Sequence, residues 1–188
     1  MIRSQKLKSL MAVAVCLLAV AAWVGSAGAS MPVGSMTLRE SDLPSAFSQD
    51  FSHAVPAIQV RVLQGSMLPR YLDAWQRAFT RVQGLKTTAV TSSVLRYGSP
   101  ASAHQAFAQT WQQIAKRTGA KPFSVGVGSE SRAFTYPKGP LAAYAVTWRY
   151  KNVNAIVLMV GLTSSPATQQ FTKKLALKQQ ARMKAAAG

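Results

Sequence analysis

The sequence predicts an α+β fold: a single two-layer domain with an antiparallel sheet of about five strands and two or three helices on one face. The chain of 188 residues, 48% of them hydrophobic, suits one domain, or one domain with a targeting segment. Apolar residues recur at steps of three and four in three segments, which is typical of amphipathic helices. Alternating apolar residues mark further segments, several of them consecutive. Consecutive strands without crossover helices favour antiparallel pairing.

The first 29 residues have the features of a secretory signal peptide. Three basic residues among the first eight precede an apolar run of fifteen residues, 10–24, and a small-x-small pattern ends at Ala29. A membrane-spanning helix needs about 20 apolar residues, so we expect cleavage after Ala29. A retained membrane anchor is the alternative. The predicted location is the periplasm or the exterior of the cell.

This interpretation divides the chain into a signal peptide (1–29), a flexible leader (30–41) and a folded domain (42–188), with no transmembrane segment after cleavage. The only cysteine, Cys16, lies in the signal. A mature chain without a thiol excludes a cysteine hydrolase, a thiol oxidoreductase and a thiolate copper site. A single cysteine also excludes an internal disulfide and a multi-cysteine zinc site.

Basic residues far outnumber acidic ones, with 22 Lys and Arg against 5 Asp and Glu and a net charge of +17. One interpretation is attraction to a polyanion, such as an anionic membrane or wall polymer, with nucleic acid the less favoured partner. The other is tolerance of acidic surroundings, because acid unfolding follows mainly from protonation of paired carboxylates. Both interpretations stay open at the level of the sequence.

The first half of the domain is predicted as strand, helix, strand and helix. Alternation over 58–62 predicts a first strand, and an apolar stripe at helical spacing predicts a first helix over 68–82. The Thr- and Val-rich segment 86–98 predicts a second strand. Ser99 then caps a second helix that has Pro100 in its first turn. The expected buried face of this helix is Ala103, Phe107, Trp111 and Ile114.

The second half is predicted as strands followed by a helix. Apolar residues alternate over 123–127, 131–136 and 144–150. A tight hairpin turn is expected at 151–152, because Asn152 tolerates a left-handed backbone. The segment 155–162 is apolar on both faces, which predicts a central strand.

The final helix is predicted to begin at Pro166 and to dock through Phe171, Leu175 and Leu177. Its apolar face becomes basic halfway along, so we expect its last turns to project into solvent. The basic side chains expected there as a contact for an anionic surface are Lys173, Lys174, Lys178, Arg182 and Lys184.

Three short stretches occur in an order that resembles secreted bacterial sensor and lipoprotein-type domains. They are Val94 to Ala103 (VLRYGSPASA), Val127 to Ser131 (VGSES) and Trp148 to Val153 (WRYKNV). Such domains include the extracellular domains of mycobacterial PknH-type kinases and the LpqN/PsbP/Mog1-like group. The resemblance covers roughly residues 87–165, although the kinase domains have cysteines that this sequence lacks. It implies an antiparallel sheet with flanking helices and a ligand- or partner-binding role, and it carries over no catalytic residue.

The sequence contains no G-x-S-x-G or H-E-x-x-H motif, and its few carboxylates are scattered. We therefore predict no catalytic residues, no metal site and no cofactor. Tyr144, Trp148 and Tyr150 form a candidate ligand pocket. The expected function is an exported, non-catalytic domain that binds a small ligand or an anionic partner outside the cytoplasm. The alternatives are a secreted hydrolase with an unrecognised site and an extracytoplasmic nucleic-acid binder.

Overall fold

The computed structural model describes residues 33–55, 69–84, 86–117, 120–138, 141–161 and 166–187. They form a seven-stranded sheet in the order β1-β2-β3-β7-β6-β5-β4, and every neighbouring pair is antiparallel. The strands are β1 (Ser48–Val55), β2 (Tyr71–Gln83), β3 (Lys86–Tyr97), β4 (Lys121–Pro122), β5 (Glu130–Lys138), β6 (Leu141–Tyr150) and β7 (Val153–Gly161). The helices are α1 (Pro100–Arg117), α2 (Pro166–Ala187) and the 3-10 helices Val33–Met36 and Glu40–Asp42.

The α+β class and the antiparallel sheet are confirmed, but the sheet is wider than predicted and the helices lie on opposite faces. Side chains alternate across a strand, so Val94 and Tyr97 of β3 point to different faces. Val94 belongs to the core cluster that contains Leu175 of α2. Tyr97 instead packs with Ala103 of α1. The sheet is therefore the middle of three layers, and the two faces are called the α1 face and the α2 face below.

Strand β2 replaces the helix that the sequence predicted over 68–82. Leu72 and Val82, which belong to the predicted apolar stripe, are 61% and 67% exposed. Trp75 and Phe79 both lie on the α2 face, because residues four apart share a face in a strand as well as in a helix. Hydrogen-bonded pairing with β1 on one side and β3 on the other makes this segment a strand rather than a helix. The predicted first strand over 58–62 lies outside the described residues.

Several other elements are confirmed. The Ser99 hydroxyl accepts a hydrogen bond of 3.1 Å from the Ser102 N–H and so caps α1. Ala103 and Phe107 are buried, whereas the side chain of Ile114 lies outside the described part of the chain. The two-sided apolar strand β7 lies at the centre, between β3 and β6. No helix within the described ranges is long and apolar enough to cross a membrane.

The turn between β6 and β7 falls at the predicted residues, but its left-handed residue is different. Lys151 has a φ of 55°, and Asn152 does not have a positive φ. The Asn152 side chain instead donates a hydrogen bond of 2.7 Å to the carbonyl of Tyr97 at the end of β3. The asparagine thus ties the turn to the neighbouring strand.

Residues 33–43 pack on the α2 face, although a flexible leader was expected over 30–41. Val33 and Leu38 are 2% and 0% exposed. Gly34 lies so close to the Trp75 ring that a Cβ atom there would be 2.8 Å from it. The apolar side chains of this segment are buried because they pack against β2 and β3. The predicted signal peptide, 1–29, lies outside the described residues.

The strand predicted over 123–127 does not form: the two-residue strand β4 ends at Pro122, and the chain then runs to β5 without regular pairing. Val127 is nevertheless buried. Gly128 has a φ of 69°, and a Cβ atom there would lie 2.8 Å from the Trp148 ring and closer still to the Arg149 carbonyl. Glycine is therefore required by both backbone conformation and space.

Gly128→Ala should lower the free energy of unfolding by about 2 kcal/mol or more. The added Cβ would collide with the Arg149 carbonyl, and alanine disfavours the left-handed backbone conformation of residue 128. Urea unfolding followed by tryptophan fluorescence measures this loss. Gly126→Ala is the matched control, since its Cβ would meet nothing within 4 Å. Equal stability of the two variants would contradict this account of the β4–β5 connection.

Candidate functional site

The candidate pocket residues lie in the core. Tyr144 and Trp148 are 1% and 0% exposed, and Tyr150 packs against the same cluster. All three side chains face α2 from strand β6, so they fill the layer between sheet and helix. Their alternation in the sequence is that of a strand with one face in the core.

The basic residues predicted on the last helix divide into two groups. Lys174, Lys178 and Lys184 are exposed, and Lys173 is half-buried. Arg182 is mostly buried and forms an ion pair with Asp42. The structure therefore places four lysines along the accessible side of α2 and assigns the arginine a contact within the fold.

The second half of α2 docks on the sheet, which corrects the prediction that it projects into solvent. Gln179 and Met183 are both 0% exposed, whereas Leu177, an expected docking residue, is 46% exposed. The buried stripe is Thr172, Leu175, Ala176, Gln179, Gln180 and Met183. The predicted face continued from Leu175 to Lys178 and Arg182, whereas the buried face continues to Gln179, Gln180 and Met183.

A buried hydrogen-bond network holds this half of α2 in place. The Ser92 hydroxyl of β3 donates to Gln179 Oε1 at 2.8 Å and accepts from the Leu38 N–H at 2.9 Å. Gln179 Nε2 donates to the carbonyl of Ser93 at 3.1 Å. One serine thus joins the N-terminal segment, the middle of the sheet and the last helix.

Asp42 makes a second connection between the N-terminal segment and α2. Arg182 donates to both carboxylate oxygens, from Nε to Oδ2 at 2.7 Å and from Nη2 to Oδ1 at 3.0 Å. The Arg39 N–H donates to Oδ2 at 2.8 Å, and Lys178 Nζ donates to the Asp42 carbonyl at 2.6 Å. Burial raises the pKa of Asp42, but the bonds from Arg182 and Arg39 and the charge of Lys178 outweigh it and lower the pKa overall.

A further arginine approaches the same segment from the sheet. Arg77 of β2 donates from Nη1 to the Leu38 carbonyl at 3.0 Å and from Nε to the Ser52 hydroxyl at 2.9 Å. Burial and the positive charges of Arg39 and Arg182 lower the pKa of Arg77, and Asp42 opposes them. We call Arg39, Arg77 and Arg182 the guanidinium cluster.

Two other carboxylates are also held by arginines, on other parts of the molecule. Asp73 accepts from Arg96 Nε at 2.9 Å. Glu130 accepts from Arg149 Nε at 2.7 Å and lies 2.8 Å from His104 Nδ1. Burial raises the pKa of Glu130, but the contacts with His104 and Arg149 lower it overall. Three of the five acidic residues in the sequence are therefore neutralised by arginine.

Within the described ranges, no group of three His, Cys, Asp or Glu side chains lies close enough to hold a metal ion. The absence of a metal, a cofactor and a catalytic residue stays a prediction from the sequence. What the site offers chemically is positive charge, presented by arginines with fixed orientation and by lysines on an exposed helix face.

Sequence reasoning missed two members of the guanidinium cluster. Arg39 lies in the segment that was expected to be a flexible leader, and Arg77 lies in the strand that was expected to be a helix. Asp42, three residues after Arg39, was the available signal, because a carboxylate in a strongly basic chain is a natural partner for an arginine.

No protein-family model matches the chain, and no curated protein matches it in sequence. Among solved structures, its fold is similar to the crystal structure of the extracellular domain of PknH from Mycobacterium tuberculosis, with a TM-score of 0.55 and 9% sequence identity. The similarity covers 78% of this chain and 94% of that domain. It shows a shared fold, which confirms the resemblance to PknH-type extracellular domains at that level. The LpqN/PsbP/Mog1-like resemblance stays a prediction.

Asp42→Asn should lower the free energy of unfolding at pH 7 by about 1–2 kcal/mol, because a bidentate, mostly buried ion pair is lost. The folded-state pKa of Asp42 is lowered, so its contribution is present above the unfolded value of 3.8 and is lost as pH falls through the folded value. The stability difference between wild type and variant should therefore shrink below about pH 4.

Urea unfolding at pH 7 and at about pH 3 tests this dependence. Asp50→Asn is the control, because Asp50 accepts a bond from Thr80 and forms no ion pair in the described part of the chain. A difference for Asp42→Asn that is independent of pH would show that the ion pair is not the source of the effect.

Proposed function

We propose that this protein is an exported, non-catalytic interaction domain that binds an anionic partner outside the cytoplasm. The observation that carries the proposal is the imbalance of unpaired charge. Arginines engage Asp42, Asp73 and Glu130, and Asp50 bonds to a threonine. Most of the 22 basic residues have no acidic counterpart. Such a surface attracts polyanions over distances of about a Debye length.

The accessible side of α2 is the proposed contact. Lys174, Lys178 and Lys184 span ten residues, which corresponds to about 15 Å of helix. Leu177 lies exposed among them. Flexible lysine side chains suit a surface with many spread charges, such as anionic lipid headgroups or a wall polymer. The similarity in fold to an extracellular domain supports an extracytoplasmic location.

A small ligand in the core of β6 has less support, because Tyr144 and Trp148 are enclosed by α2. Acid tolerance remains a separate property to be measured, since the few carboxylates present include Asp42, which joins two parts of the fold. No specific observation among the described residues favours a hydrolase or a nucleic-acid binder.

Lys174→Gln/Lys184→Gln should weaken binding to phosphatidylglycerol vesicles by roughly thirtyfold, because each lysine near an anionic surface contributes about 1 kcal/mol. Sedimentation with these vesicles and with phosphatidylcholine vesicles, at about 50 and about 500 mM NaCl, measures the effect. We expect wild-type binding to require the anionic lipid and to fall at high salt.

Lys86→Gln/Lys121→Gln is the matched control, with the same change in charge at exposed positions remote from α2 in the sequence. Equal losses in both double variants would show that charge acts diffusely rather than through α2. Wild-type binding that needs no anionic lipid would refute the proposed function.

A further inference from the structure

Two arginines of the guanidinium cluster, Arg77 and Arg182, approach a single peptide group, the one that joins Leu38 to Arg39. Its carbonyl accepts from Arg77 Nη1 at 3.0 Å. Its N–H donates to Asp42 Oδ2 at 2.8 Å, and that same oxygen accepts from Arg182 Nε at 2.7 Å. Strand β2 and helix α2 therefore bring two guanidinium groups to one place on the α2 face, and the exposed side chain of Arg39 extends from the same peptide group.

Arg77 and Arg182 are fixed in orientation while some of their N–H groups donate no hydrogen bond to the described part of the fold. Arg182 uses Nε and Nη2 on Asp42, and Arg77 uses Nε and Nη1 on Ser52 and Leu38. Within the described residues, Arg182 Nη1 and Arg77 Nη2 have no hydrogen-bond partner, and neither does the exposed guanidinium of Arg39. The remaining donors belong to two side chains held by the fold, those of Arg77 and Arg182, and to the exposed side chain of Arg39.

Charge in the cluster is not balanced. Asp42 supplies one negative charge to three guanidinium groups, and Lys178 adds a fourth positive charge beside it. Repulsion from Arg39 and Arg182 acts on Arg77, which is half-buried. Like charges gathered at a partly desolvated place are costly unless an anion joins them.

We propose that the guanidinium cluster is a binding site for one phosphate group, carried either by a small phosphorylated molecule or by a lipid headgroup. This inference rests on the proposed function and names the site at which the anionic partner is recognised. Guanidinium groups match phosphate because their planar N–H pairs bond to two oxygens at once. Asp42 and the Leu38 carbonyl hold Arg182 and Arg77 in place, so little side-chain freedom is lost on binding.

Arg39 is the residue to change, because its side chain is exposed and has no bond to the rest of the described fold. Arg39→Gln should weaken binding of pyrophosphate by about tenfold, the effect of one lost hydrogen bond to a charged group. Arg39→Lys keeps the charge but loses the planar fork, so it should also weaken binding. Arg132→Gln, an exposed arginine on the α1 face, is the charge-matched control and should change the affinity less than about twofold.

The experiment is calorimetric titration of the full chain with inorganic phosphate and with pyrophosphate, together with sedimentation on phosphatidic acid vesicles. Saturable pyrophosphate binding that depends on Arg39 supports a soluble ligand. Vesicle binding alone, with the same dependence on Arg39, supports a lipid headgroup. Equal losses for Arg39→Gln and Arg132→Gln would overturn the site, as would the absence of binding both to pyrophosphate and to phosphatidic acid vesicles.

These failures are distinguishable from failure of the proposed function. Binding of wild-type protein to phosphatidylglycerol vesicles does not require the guanidinium cluster if the lysines of α2 suffice. The proposed function therefore stands when such binding persists in Arg39→Gln while phosphate selectivity is absent. It falls together with the site only when anionic vesicles fail to retain the wild type.

Discussion

The contact of Gln179 with Ser92 and Ser93 is the interaction on which the arrangement of this protein depends. It lies at the centre of the α2 face, where an amide side chain without partners would be strongly destabilising. Satisfying that amide requires α2 to sit at one register over β3. The Ser92 hydroxyl also accepts a hydrogen bond from the Leu38 N–H, so the register of the helix is linked to the position of the N-terminal segment. The buried aromatics of β6 are then covered by a helix whose position is set by polar atoms.

A scarcity of carboxylates has a structural consequence as well as an electrostatic one. The chain has 5 acidic residues, and each ion pair among the described residues joins two different elements of the fold. Asp42 joins the N-terminal segment to α2, Asp73 joins β2 to β3, and Glu130 joins β5 to β6 and α1. Three of the acidic residues thus link neighbouring elements of the fold through arginines, and most of the basic residues have no carboxylate to pair with.

Local signals in the sequence predicted the elements that depend on local chemistry. Ser99 and Pro100 located the start of α1, and the two-sided apolar run identified β7 as central. Strand β2 was mistaken for a helix because Trp75 and Phe79 are four residues apart, a spacing that suits both periods. Which period applies is decided by strand partners on both sides, and the sequence does not display them.

The candidate site was predictable in part. The sequence showed that α2 carries lysines, and these are exposed. It did not show that Arg182 turns toward Asp42, because that pair spans 140 residues and exists only in the folded chain. It also did not show that Gln179 is a core residue, since glutamine is a surface residue in most settings. Contacts between distant segments account for most of what was missed.

The span of 140 residues between Asp42 and Arg182 also bears on the order of assembly. A ribosome adds about 5–20 residues each second, so Arg182 is made roughly 7–28 s after Asp42. During that interval the apolar residues Val33, Met36 and Leu38 have no helix to lie beside. The contacts of the N-terminal segment with the sheet can therefore form before its contacts with α2, which must wait until the last helix has been made.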